Sequence, residues 1–552
     1  MIVKLISNTN NYIKLLIVLI ITTLIYLNHF NNTFFYDDTH TIENNNSIRS
    51  INVVDFFFNA DTFSSLPANR SYRPIITLMN AIDYSIAGGL KSNVFHYHIF
   101  FWFLVLIVCI YFLFKKIYTF SQVNNKWINA VSLFAISWFA FHTANAETIN
   151  YICARSDSFS TLCVVASLLL YINPITKRYY LYLITMVIGI WTKQTGVMFL
   201  PILLVYIILF EKYSIIDNFK TETKDKIVVI LKKITPTLLI GLSLFLLNQF
   251  YLTPEATDSF NFRVTRFEYI TTQFYVVMHY LGNFILPIRL SPDPDISIIK
   301  PWYSVKIILG LLIILGLLVI ALKTMFIKKY RPISFGIFWF FIALLPTSLT
   351  PLFQTANDHR IFFPFVGLFL SVPWAILLIF IKYKILEKNK NIKLVSIMLF
   401  LILGVHAYGT TQRNNVWKTK ESLWKEVAIK SPKNPRGLMN YGLTQMQKGN
   451  YSETLTYFKK AYKYAPNYYS LHINIAILFA AKKDYTRAEK FFKSAISLNS
   501  SSSSPEHFYA KYLYSRKQYK KSLIFIKKAL TKSPNNLSSK KLIAKILNKL
   551  ND

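Results

Sequence analysis

The sequence predicts an all-α protein in two parts, a polytopic helical membrane body followed by a C-terminal solenoid of helical repeats. Three observations predict it. Hydrophobic residues make up 53% and aromatics 16% of the 552 residues, and the mean hydropathy is +0.34, too apolar for an ordinary soluble chain. Apolar runs of membrane-crossing length recur through the first three quarters of the chain. After Gln412 the composition turns polar, lysine-rich and periodic.

A membrane helix needs roughly 20 apolar residues, with a lower limit of about 17. On that rule about eleven spans are expected, near 13–28, 96–114, 127–143, 157–173, 179–192, 195–210, 232–250, 303–323, 332–346, 364–382 and 393–409. The stretch 270–287 is apolar but awkwardly placed, and reads as a re-entrant or interfacial segment. Lys4 and Lys14 precede the run Leu15 to Leu27, which no small-residue cleavage site follows; it reads as the first span. Lysine clusters set the sides. Lys115-Lys116, Lys177-Arg178, the run Lys212 to Lys233, Lys328 to Arg331 and the block Lys382 to Lys393 all fall on the cytoplasmic face if the N-terminus does. An odd span count then puts the C-terminal region outside.

Past Gln412, three registers repeat every 34 residues: Gly442, Ala476, Ala510; Phe458, Phe492, Ile526; and Ala461, Ala495, Ala529. Pro432, Pro466 and Pro534 share the ruler, with Ser500 at the missing step. Small residues at helix crossings and proline at the exit are the tetratricopeptide pattern. Lys540 to Leu550 reads as the capping helix. The expected domains are a membrane domain 1–412 with a large first external loop 29–95, a linker and partial repeat 413–433, and a repeat domain 434–552.

The formal charge of +36 is accounted for by span-flanking lysines and a lysine-rich composition, and no nucleic-acid motif accompanies it. Cys109, Cys153 and Cys163 show neither ligand spacing nor a disulfide framework.

The loops of the external face carry the unusual combinations. They are Asp37-Asp38, Tyr72-Arg73-Pro74, His142 through Asp157, Thr192-Lys193-Gln194, Ser291-Pro292-Asp293-Pro294-Asp295 and Asn357-Asp358-His359-Arg360. Singly, each has a bland reading. Asp37-Asp38 could cap a helix, Tyr72-Arg73-Pro74 is a helix start, Arg155 with Asp157 could be an ion pair, and Pro-Asp-Pro-Asp is a rigid turn. His96 and His98 suit packing, and His142 with Glu147 lacks the spacing of a zinc motif. Together on one face they form a site. The cations Arg73, Arg155, Lys193 and Arg360 suit a phosphate or pyrophosphate, and an Asp beside them suits a general base. This combination fits glycosyl transfer from a lipid-linked sugar phosphate. The leaving phosphate needs no acid, one carboxylate takes the acceptor proton, and guanidinium groups stabilise the growing negative charge.

The order of motifs resembles the transmembrane-and-tetratricopeptide-containing protein O-mannosyltransferases and their bacterial relatives, in the GT-C glycosyltransferase superfamily. The two-Asp motif stands at Asp37-Asp38. The Tyr-Arg-Pro motif is Tyr72 to Pro74, with His96 downstream. The long His/Glu/Arg/Asp motif is His142, Glu147, Arg155 and Asp157, and the lysine motif is Lys193-Gln194-Thr195-Gly196. The acidic-Arg motif is Asp358-His359-Arg360 before Phe363-Pro364, and Arg413 with Trp417 forms the linker motif. Thr143 stands where that family has Pro, and Gln194 where it has Glu. The resemblance covers nearly the whole chain.

It implies a GT-C-type body and a polyprenyl- or dolichyl-phosphate hexose donor, with mannose the family's sugar. It also implies an Asp of the first loop as base, Asp38 ahead of Asp37. Arg155 and Arg360 are then expected on the phosphate, with Arg73, Lys193 and His142 beside it. Glu147, Asp157, His96 and Asp358 are expected to orient groups or touch sugar. No metal ligand set is expected and no cofactor is required, although paired acids beside a phosphate could hold a divalent ion. The expected partners are the lipid-linked donor, an acceptor protein held by the repeats, and membrane lipids, with no nucleic acid. The expected location is a bacterial inner membrane with the repeats outside, or the endoplasmic reticulum membrane in a eukaryote. Two other readings share these features: transfer to a lipid or cell-envelope polysaccharide, and a non-catalytic membrane-anchored scaffold.

Overall fold

The computed structural model describes residues 10–66, 69–121, 123–211, 223–252, 264–352, 354–534 and 536–551. Lys4 and much of the Lys212 to Lys233 run lie outside the described residues. Every described regular element is helical. The chain divides into two units. The first runs through Pro292 and resumes over Ile296–Thr419; the second is Asp293–Asp295 with Lys420 onward.

In the first unit each of the eleven apolar segments is helical. They are α1 (Asn11–Ile25), α4 (Ser92–Thr119), α5 (Asn125–Phe141), α7 (Arg155–Ile172), α9 (Leu181–Thr192), α10 (Phe199–Phe210), α11 (Thr223–Leu247), α13 (Val305–Met325), α14 (Arg331–Leu349), α15 (Phe362–Lys382) and α16 (Asn389–Val416). Between them lie short α2 (Val53–Phe58), α3 (Pro74–Ala87), α6 (Ala146–Asn150) and α8 (Pro174–Arg178), and the longer α12 (Arg266–Ile285). Among the described residues, seven helical segments are long and apolar enough to cross a membrane, or eight if the pair bent by 47° at His142 is one span. α1, α9 and the stretch Gln194–Phe210 are apolar but shorter. The protein is thus a multi-pass membrane protein, with seven to eight candidate spans among the described residues, fewer than the eleven expected.

The segment read as re-entrant is one continuous helix, α12. A full capping box, Thr265 with Glu268, starts it. It is not among the seven, and its buried face carries polar groups among the apolar ones. Tyr280 donates to the Asn357 carbonyl at 3.1 Å and Gln273 to that of Thr355 at 3.1 Å. In a low-dielectric body such groups must be paired within the protein. The same rule governs the aromatic core, where Tyr118 donates to the Leu370 carbonyl at 2.7 Å and stacks on Trp374. Trp339 donates to the Phe363 carbonyl at 3.0 Å.

α14 and α15 pack backbone to backbone at Gly336 and Gly367. A Cβ on Gly336 would lie 2.2 Å from the Gly367 carbonyl oxygen, and one on Gly367 would lie 2.3 Å from that of Gly336. Association of helices in lipid depends on such close approach. Gly367→Ala is expected to lower stability by about 1–3 kcal/mol through overpacking, read as a lower melting temperature of detergent-solubilised protein.

The second unit pairs α18 (Pro435–Gln447) with α19 (Tyr451–Tyr464), α20 (Tyr469–Ala481) with α21 (Tyr485–Leu498), and α22 (Ser504–Ser515) with α23 (Tyr519–Lys532). α17 (Lys420–Lys430) precedes them and α24 (Leu537–Asn551) caps them. The periodic positions form the core, with Phe458, Ala461, Ala476, Ala495, Ala510, Ile526 and Ala529 all fully buried. Gly442 admits the Phe458 ring where a Cβ would sit 2.7 Å from it. Each helix pair turns through a left-handed residue at one register position: Gly449, Lys483 and Lys517, with φ of 81°, 62° and 61°.

Candidate functional site

The site is built where helix ends gather. α4 carries His96 and His98 near its start and Lys115-Lys116 near its end. α7 begins at Arg155 and leads into Lys177-Arg178. α9 ends at Lys193 and α15 follows Arg360, with Lys382 at its far end. Site motifs and lysine clusters thus occupy opposite ends of the same helices.

The first loop has a core of its own, in which Phe34, Ile42, Ile48 and Phe56 pack on Ala81, Phe95 and Ile152. Buried asparagines tie it to the body. Asn32 donates to Asn150 at 2.6 Å, Asn150 to Asn414 at 2.6 Å, and Asn414 to Asn28 at 3.1 Å. These bonds fix the neighbourhood of the two acids.

Asp38 and Asp37 differ sharply. Asp38 is fully buried, and both its oxygens accept backbone N–H bonds, from Phe35 at 2.9 Å and Cys153 at 2.8 Å. Burial pushes its pKa up to about 8, against the pull of those donors. Asp37 has a side chain 53% exposed, 3.2 Å from His40 Nε2. Its partial burial raises the pKa, but His40, Tyr151 and the nearby His359 outweigh that and hold it below the ordinary carboxylate value. Tyr36, immediately before it, is in the left-handed region at φ 46°, a conformation costing a non-glycine residue about 1–2 kcal/mol. The turn directs Asp37 outward and Asp38 inward.

A second group of charges reaches Asp37 through His359. Lys193 pairs with Asp157 at 2.6 Å. Arg73 lies 3.4 Å from Ser156 Oγ and over the Phe63 ring. Arg360 donates to the Gln354 carbonyl at 2.8 Å. Asp157, Lys193, Arg73, His359 and Arg360 are close enough for their charges to act on one another, and Asp37 is within reach of His359. Glu147 is buried behind them, 3.2 Å from His359 Nδ1 and 3.8 Å from Arg413. Tyr151 stacks on the buried Trp417 and accepts from the Asp37 backbone N–H at 3.2 Å. Trp417→Ala, removing a fully buried ring, is expected to cost about 3–5 kcal/mol, measured by thermal melting.

Four sequence-predicted residues lie elsewhere. Arg155 is 1% exposed and pairs with equally buried Asp83 at 2.6 Å; Asp83 in turn binds His98, which accepts from Trp102 at 2.8 Å. Its charge is taken up inside the protein. His142 sits at the bend between α5 and α6, its Nε2 3.1 Å from the Phe284 carbonyl and its ring stacked on His406. His96 is buried against the Asn32 carbonyl and the edge of His29. Asp358 accepts from the Ser291 backbone N–H at 2.8 Å. His40, Tyr151 and His359 are local to the site but were not singled out, nor was Asp83, which holds Arg155. Asp83 is concealed inside an ordinary amphipathic helix, whereas His359 stands between two residues that were.

Among the described residues no group of three or more His, Cys, Asp or Glu could hold a metal ion. Asp293, in the second unit, pairs with Arg436 at 2.7 Å, and Asn434 donates to its carbonyl at 2.9 Å.

The fold and site define the class, a multi-pass helical membrane protein with tetratricopeptide repeats and a charged site at one set of helix ends. Within that class the chain is distantly similar, over most of its length, to tetratricopeptide-bearing protein O-mannosyl-transferases. The tetratricopeptide repeat family matches residues 435–468 and 469–502. Protein O-mannosyl-transferase Tmtc3 of Drosophila melanogaster is 22% identical, covering 89% of this chain and 59% of its own. A protein O-mannosyl-transferase of Caenorhabditis elegans is 22% identical over 82% of this chain and 63% of its own. Protein O-mannosyl-transferase TMTC4 of Homo sapiens is 22% identical over 77% and 63%. The chain therefore spans about three fifths of the length of the curated relatives it matches. Among solved structures, the APC/C hetero-tetramer Cut9-Hcn1 covers 86% of this chain and 89% of its own at 11% identity, with a TM-score of only 0.24.

Proposed function

We propose that this chain transfers a hexose, mannose by its relatives' names, from a polyprenyl-phosphate donor to Ser or Thr hydroxyls of proteins on the extracytoplasmic side. The observation that carries the reading is the outward carboxylate of Asp37 within reach of His359, whose own surroundings include Asp157, Lys193 and Arg360. Asp37 is the base and takes the proton of the acceptor hydroxyl. The hydroxyl oxygen bonds to the anomeric carbon as the bond from that carbon to the phosphate oxygen breaks. The electron pair goes to the phosphate, where Lys193, Arg73 and Arg360 stabilise it. A single displacement inverts the anomeric centre. Asp157 orients Lys193, Glu147 orients His359, and Asp38 holds the loop through its two backbone contacts. Arg155 fixes Asp83 and His98 beneath the loop. With a cytoplasmic N-terminus and an odd number of spans the repeats lie outside, where their helical pairs hold an extended acceptor segment.

Lys193→Met and Arg360→Met test the phosphate site. Each is expected to lower kcat/KM about 10- to 100-fold for polyprenyl-phosphate mannose and a Ser/Thr peptide, in line with loss of one charge-assisted contact of about 1.5–3 kcal/mol. Unchanged kinetics in both variants contradicts the assignment.

A further inference from the structure

The lysine-bearing end of the membrane body holds a feature the transfer reaction does not use. Where α7 leads into α8 and where α9 and α11 begin, a cavity of about 490 Å³ is lined by Tyr171, Lys177, Arg178, Tyr182, Lys232 and Lys233, among others. Glu211 is the described acid beside it, bound by Lys177 at 2.6 Å and also by Lys233. Four cations against one carboxylate leave a surplus positive charge among the described residues. Arg178 and Lys232 are exposed at its rim. Lys177 also stands 3.9 Å from the centre of the Tyr171 ring.

The place is remote from Asp37. α9 starts at Leu181 beside this cavity and ends at Thr192 next to Lys193, so its length of about 18 Å separates the two. The flank above the cavity is apolar and uncovered, with Ile184 58%, Leu231 55% and Leu239 58% exposed. Tyr179 and Tyr180, 67% and 52% exposed, stand where interfacial tyrosines meet headgroups. A basic pocket between helix ends, opening onto an apolar wall, matches a ligand with a phosphate at one end and acyl chains at the other.

We infer that this pocket binds the phosphate headgroup of an anionic membrane phospholipid, whose chains lie along α9 and α11. The site is independent of the transferase reading, since lipid binding is measured without turnover.

The test is native mass spectrometry of the full-length protein, extracted in mild detergent and offered equal phosphatidylglycerol and phosphatidylcholine. Wild type is expected to retain phosphatidylglycerol preferentially. Arg178→Gln with Lys232→Gln is expected to weaken retention about tenfold, given the roughly 1 kcal/mol contributed by each basic residue near a charged headgroup. Glu211→Gln, which removes the opposing charge, is expected to strengthen it. Lys388→Gln with Lys390→Gln removes the same charge from another exposed cluster and is expected to leave retention unchanged. The inference is overturned by equal retention of the two lipids, or by an Arg178/Lys232 variant that behaves like wild type, which reduces these residues to topology signals. It is also overturned if the Lys388/Lys390 control loses as much, or if millimolar inorganic phosphate displaces the lipid and so identifies a soluble anion as the ligand. Both rim side chains are exposed, so the double variant is expected to keep the wild-type melting temperature.

Discussion

Asp37→Asn is expected to lower transfer by about 10²- to 10⁴-fold, the usual loss when a general base is removed, with little change in melting temperature. The reason is geometric. Asp37 is half exposed, and its carboxylate faces the His40 ring and the Tyr151 hydroxyl, contacts that an amide oxygen can keep, so its amide replacement leaves the fold intact. Asp38→Asn should behave in the opposite way. Its two oxygens both accept buried backbone N–H bonds, and an amide can accept only one of them. Leaving the other unmet costs about 1–3 kcal/mol, so this variant should melt early and lose activity mainly through that loss.

The pH profiles separate the two acids further. Asp37 is held below the ordinary carboxylate range and is ionised throughout neutrality, so kcat/KM should be flat from about pH 6 to 8 on the basic side of the mechanism. A base at Asp38, with its pKa pushed up to about 8 by burial, would instead make kcat/KM climb steeply towards pH 8. Stability carries the complementary signal. Asp38 binds its proton more tightly folded than unfolded, so its contribution is complete below about pH 4 and is lost as pH rises towards 8. Asp38→Asn should remove that slope.

Much of this was legible in the sequence. Apolar run length located the helices, because a segment in lipid has to satisfy its own backbone, and the 34-residue register located the repeat core. Arg73, Asp157, Lys193 and Arg360 were legible as charges at span ends. What was not legible depended on contacts between distant segments. Arg155 reads as a free cation until Asp83, in α3, is seen against it. His142 reads as a site residue until the stacking of His406 and the Phe284 carbonyl show it inside the body. The choice between Asp37 and Asp38 rests on the left-handed backbone of Tyr36, which a tyrosine does not advertise. The span count differs because α1, α9 and Gln194–Phe210 are apolar but short, so composition and length pull apart there.

Arg155→Met is the second large effect. It leaves Asp83, 1% exposed, charged and buried without its partner, which costs about 3–5 kcal/mol. Neutralising both partners, Asp83→Asn with Arg155→Met, should recover most of that stability, because the neutral amide still accepts from His98 and no isolated charge remains. If Arg155 only supports the fold, the double variant should regain transfer along with stability. If Arg155 held the donor phosphate, it would regain stability and stay inactive. Thermal melting and initial rates on the same preparations decide between them.

The most direct test of the central claim is the mass spectrum of a Ser/Thr acceptor peptide incubated with full-length protein and polyprenyl-phosphate mannose. The account predicts one hexose on a hydroxyl, an equal amount of free polyprenyl phosphate, and no product with Asp37→Asn. An unmodified peptide with wild-type protein, or a product undiminished in Asp37→Asn, would contradict it.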